Sequence, residues 1–152
     1  MAGCSSPGEN HSAQLPVKFE SDFNADYGNL RLGGHIARHE TGIYTVTITS
    51  PESLAGVRLD YVGGKITASL NGISFEAQTD NLPAAGFIKN VTSAIDTACG
   101  SPTVTVTKAD GFNRYCVMDS CIILQEQQSG HITSLTIESI DISMNFINFE
   151  TQ

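Results

Sequence analysis

Two aspartates and an asparagine near the start of the chain, Asp22, Asn24 and Asp26, have the alternate spacing with which a calcium-binding loop begins. Such a loop also needs a glycine at its sixth position and a bidentate glutamate at its twelfth, and those positions hold Tyr27 and Gly33. The same spacing places the three polar side chains on one face of a β-strand. We therefore predict a solvated strand face here and no metal site.

Two histidines, His35 and His39, lie four residues apart. On a strand that spacing separates them by about 13 Å, which is too far for both to bind one metal ion. The sequence contains no G-x-S-x-G motif, no phosphate-binding loop and no combination of serine, histidine and aspartate in a recognisable catalytic arrangement. We expect a protein without catalytic residues or a cofactor, and therefore not an enzyme.

Cys116 and Cys121 could react with each other to form a disulfide. If Met118 and Asp119 form a two-residue turn, the two cysteines fall opposite each other at a non-hydrogen-bonded pair, where Cα atoms approach to about 4.5 Å. A cross-strand disulfide is therefore a candidate, and two buried thiols are the alternative. Cys99 is expected to be a small apolar residue at the end of a helix.

Apolar and polar residues alternate through most of the chain, which is typical of strands with one buried face. The alternating runs are residues 45–49, 57–61, 66–70, 73–77 and 140–146. Turn dipeptides at positions 63–64, 71–72 and 110–111 each contain glycine, which supplies the positive φ that tight hairpins require. Because strands joined by two-residue turns are antiparallel neighbours, the pattern predicts an antiparallel meander.

One segment, Pro83 to Cys99, has helical instead of strand periodicity. Phe87, Val91 and Ile95 recur at the spacing of one helix face, a proline stands at the first turn, and Gly100 follows the last turn. A single helix among about ten strands must place its apolar stripe on the apolar face of the sheet. The predicted fold class is therefore α+β, mostly β, with one central helix packed on an antiparallel sheet.

Length and charge exclude several classes of function. The chain has 152 residues and a net charge of −8, and 16% of its residues are charged. This charge argues against binding to nucleic acid or to anionic lipid headgroups. No apolar run reaches the roughly 18 residues that a membrane-spanning helix needs. We expect one domain, residues 15–152.

The first four residues, Met1-Ala2-Gly3-Cys4, followed by a polar run, resemble the cleavage end of a bacterial lipoprotein signal. In that pattern the cysteine becomes the lipid-modified first residue of the mature protein. The resemblance implies lipid attachment at Cys4 and an extracytoplasmic protein anchored to the bacterial cell membrane, with residues 1–14 as a lipobox remnant and flexible tether. The alternative is an ordinary soluble protein with a cysteine near its start.

Several loose motifs extend this resemblance along the chain. They occupy residues 50–56, 61–65, 70–73, 81–83 and 145–149. Together with the meander, the central helix and Cys4, they are similar to bacterial lipoproteins of the lipoprotein-carrier type (LolA-like and LppX-like), and to surface lipoproteins of Gram-positive bacteria. The resemblance implies a half-barrel, with a curved sheet and the helix on its concave face, and in several members a hollow that holds acyl chains. The N-terminal helix of that group is missing here, which puts the size of any hollow in doubt.

Two classes of function follow. The first is a membrane-anchored lipoprotein that binds a lipid or another hydrophobic ligand between sheet and helix, without nucleic acid. The candidate ligand-binding residues are Phe19, Phe23, Phe75, Phe87, Val91 and Ile95. For each of these residues taken alone, a place in the packed core is the better interpretation. The alternative is a cell-surface module with a filled core that binds an envelope protein. A filled core favours the second class, and an apolar void favours the first.

Overall fold

The computed structural model of the protein describes residues 14–78, 82–100, 104–117 and 120–152. In these segments eleven strands form one antiparallel sheet, and one α-helix is inserted between the sixth and the seventh strand. The strands are β1 (Phe19–Tyr27), β2 (Leu30–Glu40), β3 (Ile43–Ser50), β4 (Arg58–Val62), β5 (Lys65–Leu70), β6 (Ile73–Ala77), β7 (Thr105–Ala109), β8 (Phe112–Val117), β9 (Cys121–Glu126), β10 (Ile132–Ile137) and β11 (Ile142–Thr151). The helix, α1, is Pro83–Gly100.

The sheet is a meander that is joined at its middle by the first and last strands. Its order is β6-β5-β4-β3-β2-β1-β11-β10-β9-β8-β7, so neighbours in space are neighbours in sequence except where β1 pairs with β11. The sheet stays open, and its two edges are β6 and β7. The predicted fold class, a mostly β half-barrel with one helix, is confirmed.

All three predicted turns have the backbone geometry that their residues suggest. Asn71 and Gly72 have φ values of 53° and 83°, and Asp110 and Gly111 have φ values of 52° and 84°. Two successive positive φ values define the hairpin turn whose twist matches that of the flanking strands. These turns fix the register of β5 with β6 and of β7 with β8.

The curvature of the sheet involves Gly33 and Gly34 in β2. The pairing of β2 with β3 shifts between these two residues. A Cβ atom on Gly34 would overlap the carbonyl oxygen of Thr47, and one on Gly33 would overlap the hydroxyl of Ser50. Only glycine permits the two strands to approach this closely while one of them bends.

The helix lies on the concave face and supplies much of the core. Its buried residues include Phe87, Ile88, Val91 and Ile95, and its closest contacts with strands are those with β8 and β4. Apolar residues of most strands, together with this helical stripe, form one continuous core cluster. No helix in the described segments is long and apolar enough to cross a membrane.

The predicted disulfide between Cys116 and Cys121 is wrong. Cys121 is a free thiol, as is Cys99, whereas Cys116 forms a disulfide. Val117 lies opposite Cys121, and Cys116 lies opposite Ile122. The loop between β8 and β9 is therefore one residue longer than a two-residue turn, and this shift places the two cysteines on opposite faces of the sheet. The predicted turn residues, 118 and 119, lie outside the described residues.

Candidate binding surface

Five of the six candidate ligand-binding residues lie together in the core between α1 and the sheet. They are Phe19, Phe23, Phe87, Val91 and Ile95, and none is more than 2% exposed. The rings of Phe23 and Phe87 stack with their centroids 5.8 Å apart. A side chain beside a void large enough for water would keep accessible surface. These five side chains therefore border no such void, and their contact with a ligand stays a prediction.

The sixth candidate, Phe75 in β6, is in a different environment. It is 51% exposed, and its neighbours Leu70 and Ile73 are 39% and 70% exposed. Leu70 pairs with Ile73 across the hairpin, and Phe75 follows two residues later on the same face. We call these three residues the β5–β6 patch. Sequence reasoning identified Phe75 as a candidate but did not separate it from the buried residues.

The patch continues the concave face beyond the part that the helix covers. Ile66, Ala68 and Ala77 share this face of the β5–β6 hairpin and are buried. Leu70 and Ile73 lie nearer to the turn, at the end of the hairpin away from these buried residues. Contiguous exposed apolar side chains of this size are a mark of interaction sites.

The opposite edge of the sheet lacks such a patch. Within the part of the chain that the structure describes, β7 to β10 carry no strongly exposed large apolar residue. In β7, Val106 is packed against the core, and Lys108 is exposed. A lysine on an edge strand is a common device against unwanted strand pairing.

A small polar hollow of about 100 Å³ lies at the other end of the β5–β6 hairpin. Its lining includes Lys65, Glu76 and Lys89. The Nζ atom of Lys65 is 3.9 Å from Oε1 of Glu76, and the side chains are 65% and 54% exposed. A pair this long and this exposed contributes little, so the Glu76 carboxylate remains available to a cationic group.

A buried polar cluster joins α1 to the sheet. Asp96 Oδ1 accepts hydrogen bonds from Nη2 of Arg38 at 2.9 Å and from the hydroxyl of Tyr44 at 2.8 Å. Asp96 Oδ2 accepts a hydrogen bond from the backbone N–H of Gly42 at 3.1 Å. Arg38, which is 1% exposed, also donates to the carbonyl oxygen of Val17 at 2.6 Å.

The protonation states in this cluster follow from its burial. Desolvation raises the pKa of Tyr44, and the adjacent Asp96 carboxylate raises it further. Desolvation lowers the pKa of Arg38, but Tyr44 and Asp96 outweigh this effect, so the net shift is upward. Tyr44 therefore stays neutral and Arg38 stays charged. The hydrogen bonds of this cluster hold the helix against the sheet. In the sequence, the feature that could have revealed this cluster is Arg38. It lies two residues after Ile36 and therefore on the same, inward-facing side of β2.

The acidic strand face that the sequence predicts lies on the convex side. His35 bridges two carboxylates there, with Nδ1 2.9 Å from Asp22 and Nε2 2.9 Å from Glu20. Partial burial lowers the pKa of His35, but its hydrogen bonds to Asp22 and Glu20 raise it more. The hydrogen bonds from His35 and Asn148 hold the pKa of Asp22 below its usual value. The described residues contain no group of three or more His, Cys, Asp or Glu side chains arranged to hold a metal ion.

The predicted lipid attachment site, Cys4, lies outside the described residues. Of the two free thiols, Cys121 is buried, and burial raises its pKa to about 12. Burial also raises the pKa of Cys99. Neither of these thiols has the lowered pKa of a reactive cysteine.

No protein-family model matches the chain, and no curated protein matches it in sequence. Two solved structures are similar to the chain. An uncharacterised conserved protein from Thermus thermophilus has a TM-score of 0.50 and 7% identity, over 91% of this chain and 80% of that chain. A LolA superfamily protein from Nitrosomonas europaea has a TM-score of 0.42 and 7% identity, over 93% of this chain and 89% of that chain. At such identities the likeness concerns the fold alone, and it supports one architecture for nearly the whole chain.

Proposed function

We propose that the protein is a non-catalytic binding module that holds a partner protein at the β5–β6 patch. The observation that carries this proposal is the contrast in exposure along one sheet face. The candidate residues under the helix have almost no accessible surface, whereas Phe75 and Ile73 remain more than half exposed. Covering each of these two side chains would contribute roughly 1 kcal/mol.

The packing favours this function over an enclosed lipid pocket. A pocket for a small apolar ligand is usually a hollow of about 300–1,000 Å³ lined by apolar side chains. Phe19, Phe87, Val91 and Ile95, which were expected to line it, are each 0% exposed. An acyl chain could enter among them only after α1 had separated from the sheet.

A hydrophobic small ligand is the second candidate function, because the patch is also suited to an acyl chain. Leu70, Ile73 and Phe75 present only hydrocarbon on the exposed concave face. An acyl chain laid across them would remove the same apolar surface from water as a protein partner would. The two functions differ in what becomes cross-linked to this surface.

Site-specific photo-cross-linking tests the proposal. Phe75 is replaced by benzoylphenylalanine in cells that make the protein, and Val17, which is 59% exposed outside the patch, is replaced in a matched control. We expect discrete protein adducts from position 75 and none from position 17. Lipid-sized adducts from position 75 would establish the second candidate. No adduct, or equal adducts from both positions, would contradict both.

We further propose that the protein acts outside the cytoplasm, where disulfides such as that of Cys116 persist. This proposal is supported by the lipobox-like Ala2-Gly3-Cys4 sequence and the polar residues after it. Non-reducing peptide mapping by mass spectrometry of the protein from its source cells tests it, and also identifies the partner of Cys116. Recovery of Cys116 within a disulfide would support the proposal. Recovery of Cys116 as a free thiol would contradict it.

A further inference from the structure

The β5–β6 patch borders an open strand edge whose hydrogen-bonding groups can be assigned from the register. Leu70 and Ile73 flank a two-residue turn and therefore form a hydrogen-bonded pair. Hydrogen-bonded and non-hydrogen-bonded pairs alternate along an antiparallel ladder, so Ser74 and Glu76 are at non-hydrogen-bonded positions. Their backbone N–H and C=O groups thus point away from β5, toward the outer edge of β6.

No strand pairs with this outer edge anywhere in the described segments. The edge and the patch meet along β6, because Ile73 and Phe75 alternate with Ser74 and Glu76. One strand thus offers backbone groups at its side and an apolar surface on its concave face. A lipid could use only the apolar surface, whereas an extended peptide would use both.

Charge decides between a second copy of the chain and a different partner. The chain has a net charge of −8, so two copies repel each other. The exposed Glu76 carboxylate lies 3.9 Å from Lys65, a separation at which the pair contributes little, so it can also bind a basic residue of the partner.

On this basis we propose that an extended segment of the partner protein adds to β6 as a twelfth strand of the sheet. Its backbone pairs with Ser74 and Glu76, its alternate apolar side chains cover Ile73 and Phe75, and a basic residue lies next to Glu76. The inference rests on the proposed function, since it specifies how a partner protein occupies the same patch.

A synthetic peptide tests the mode of binding with the full chain. The probe is a fluorescein-labelled peptide of seven residues, in which valines alternate with lysines and threonines. A control peptide has the same sequence but carries an N-methyl group on every backbone amide, which removes its hydrogen-bond donors. Binding is measured by fluorescence anisotropy. We expect the first peptide to bind at least about tenfold more tightly than the methylated one.

Two matched proline variants test the edge. Ser74→Pro removes an outward N–H from β6 without removing a bond to β5, and proline is tolerated at such positions. Lys108→Pro makes the equivalent change on the opposite edge, because Lys108 is also at a non-hydrogen-bonded position next to a two-residue turn. We expect Ser74→Pro to weaken peptide binding at least about tenfold and Lys108→Pro to leave it unchanged.

The unsubstituted protein provides a readout that does not depend on how the variants fold. Peptide binding should shift the backbone amide resonances of Ser74 and Glu76 in NMR spectra. Peptide binding that is equally tight after N-methylation and in the Ser74→Pro variant would overturn strand addition. Amide resonances of Ser74 and Glu76 that stay unchanged at saturation would also overturn it. If photo-cross-linking at position 75 still gives protein adducts, the proposed function survives that failure. If it gives none, both proposals fail.

Discussion

The concave face of the sheet has two parts that carry the same kind of side chain but differ in solvent exposure. Beneath α1, Phe23 and Phe87 stack and are sealed from solvent, while at the turn of the β5–β6 hairpin Ile73 and Phe75 remain exposed. The geometry explains why both parts exist. Eleven strands at about 4.8 Å spacing extend over about 48 Å between the edge strands, and a helix of 18 residues is only about 27 Å long.

The two edges of the sheet carry different kinds of side chain at the positions of this face that the helix does not cover. At the β7 edge, the exposed position on this face is Lys108, which follows the partly buried Val106. At the β6 edge, the exposed positions hold isoleucine and phenylalanine instead. The limited length of α1 therefore does not by itself expose apolar side chains. The exposed apolar patch is confined to the β6 edge of the sheet.

The largest expected effect is on thiol reactivity, which contrasts the covered and uncovered parts directly. In a Cys99→Ser background, the buried Cys121 thiol, with its pKa of about 12, is compared with a cysteine introduced by Ile73→Cys. At pH 8 the exposed thiol should react with a maleimide about a thousandfold faster, because its pKa should be near 8.5. Stopped-flow and manual labelling measure the two rates. Similar rates would show that α1 does not seal the face.

The next effect is on stability, from the same substitution in each part. Phe87→Ala should lower the free energy of unfolding by about 3–5 kcal/mol, because it leaves a cavity against Phe23. Phe75→Ala should lower it by less than about 1 kcal/mol, because half of that side chain is already in water. Urea unfolding followed by circular dichroism gives both values. Equal losses would mean that Phe75 belongs to the core.

The buried polar cluster beneath α1 should have a smaller but still substantial effect on the free energy of unfolding. Asp96→Asn removes the charge that Arg38 faces in the core, and it should cost about 3 kcal/mol. Asp26→Asn breaks the exposed pair with Arg31, whose atoms are 3.0 Å apart, and it should cost less than about 1 kcal/mol. Urea unfolding compares the two variants. A cost for Asp96→Asn as small as that of Asp26→Asn would show that apolar packing alone holds the helix.

Much of this architecture could be predicted because it depends on local periodicity. The alternation of apolar and polar residues, the glycine-containing turns and the helical stripe between Phe87 and Ile95 each indicate an element directly. The pairing of β1 with β11 could not be read in this way, because nothing local links residues more than a hundred positions apart.

The candidate site was harder to predict, since exposure depends on where elements stop covering one another. Phe75 and Phe23 have the same alternating context in the sequence, and only the position of α1 separates them. The failed Cys116–Cys121 prediction has a similar origin. One additional loop residue changes the register, and a change of one residue moves a side chain to the other face.

The smallest expected effect belongs to the convex face, which serves as the reference for both parts of the concave face. The pKa of His35 is raised in the folded protein, so its protonated form is favoured by folding. Its contribution is therefore fully present below the unfolded pKa of 6.5 and is lost as the pH rises through the higher folded pKa. Because the imidazole and both carboxylates are well exposed, the contribution should be only about 0.2–1 kcal/mol.

Urea unfolding of wild type and His35→Gln between pH 5.5 and 8.5 measures this contribution. The wild-type advantage should shrink as the pH rises above about 6.5. His39→Gln is the matched control, because Nε2 of His39 contacts the hydroxyl of Thr45 and not a carboxylate, and it should leave the wild-type pH dependence unchanged. A pH dependence that persists in His35→Gln would place its origin elsewhere. Loss of that dependence would show that the convex face holds a weak, titratable contact, whereas the covered concave face is held by burial.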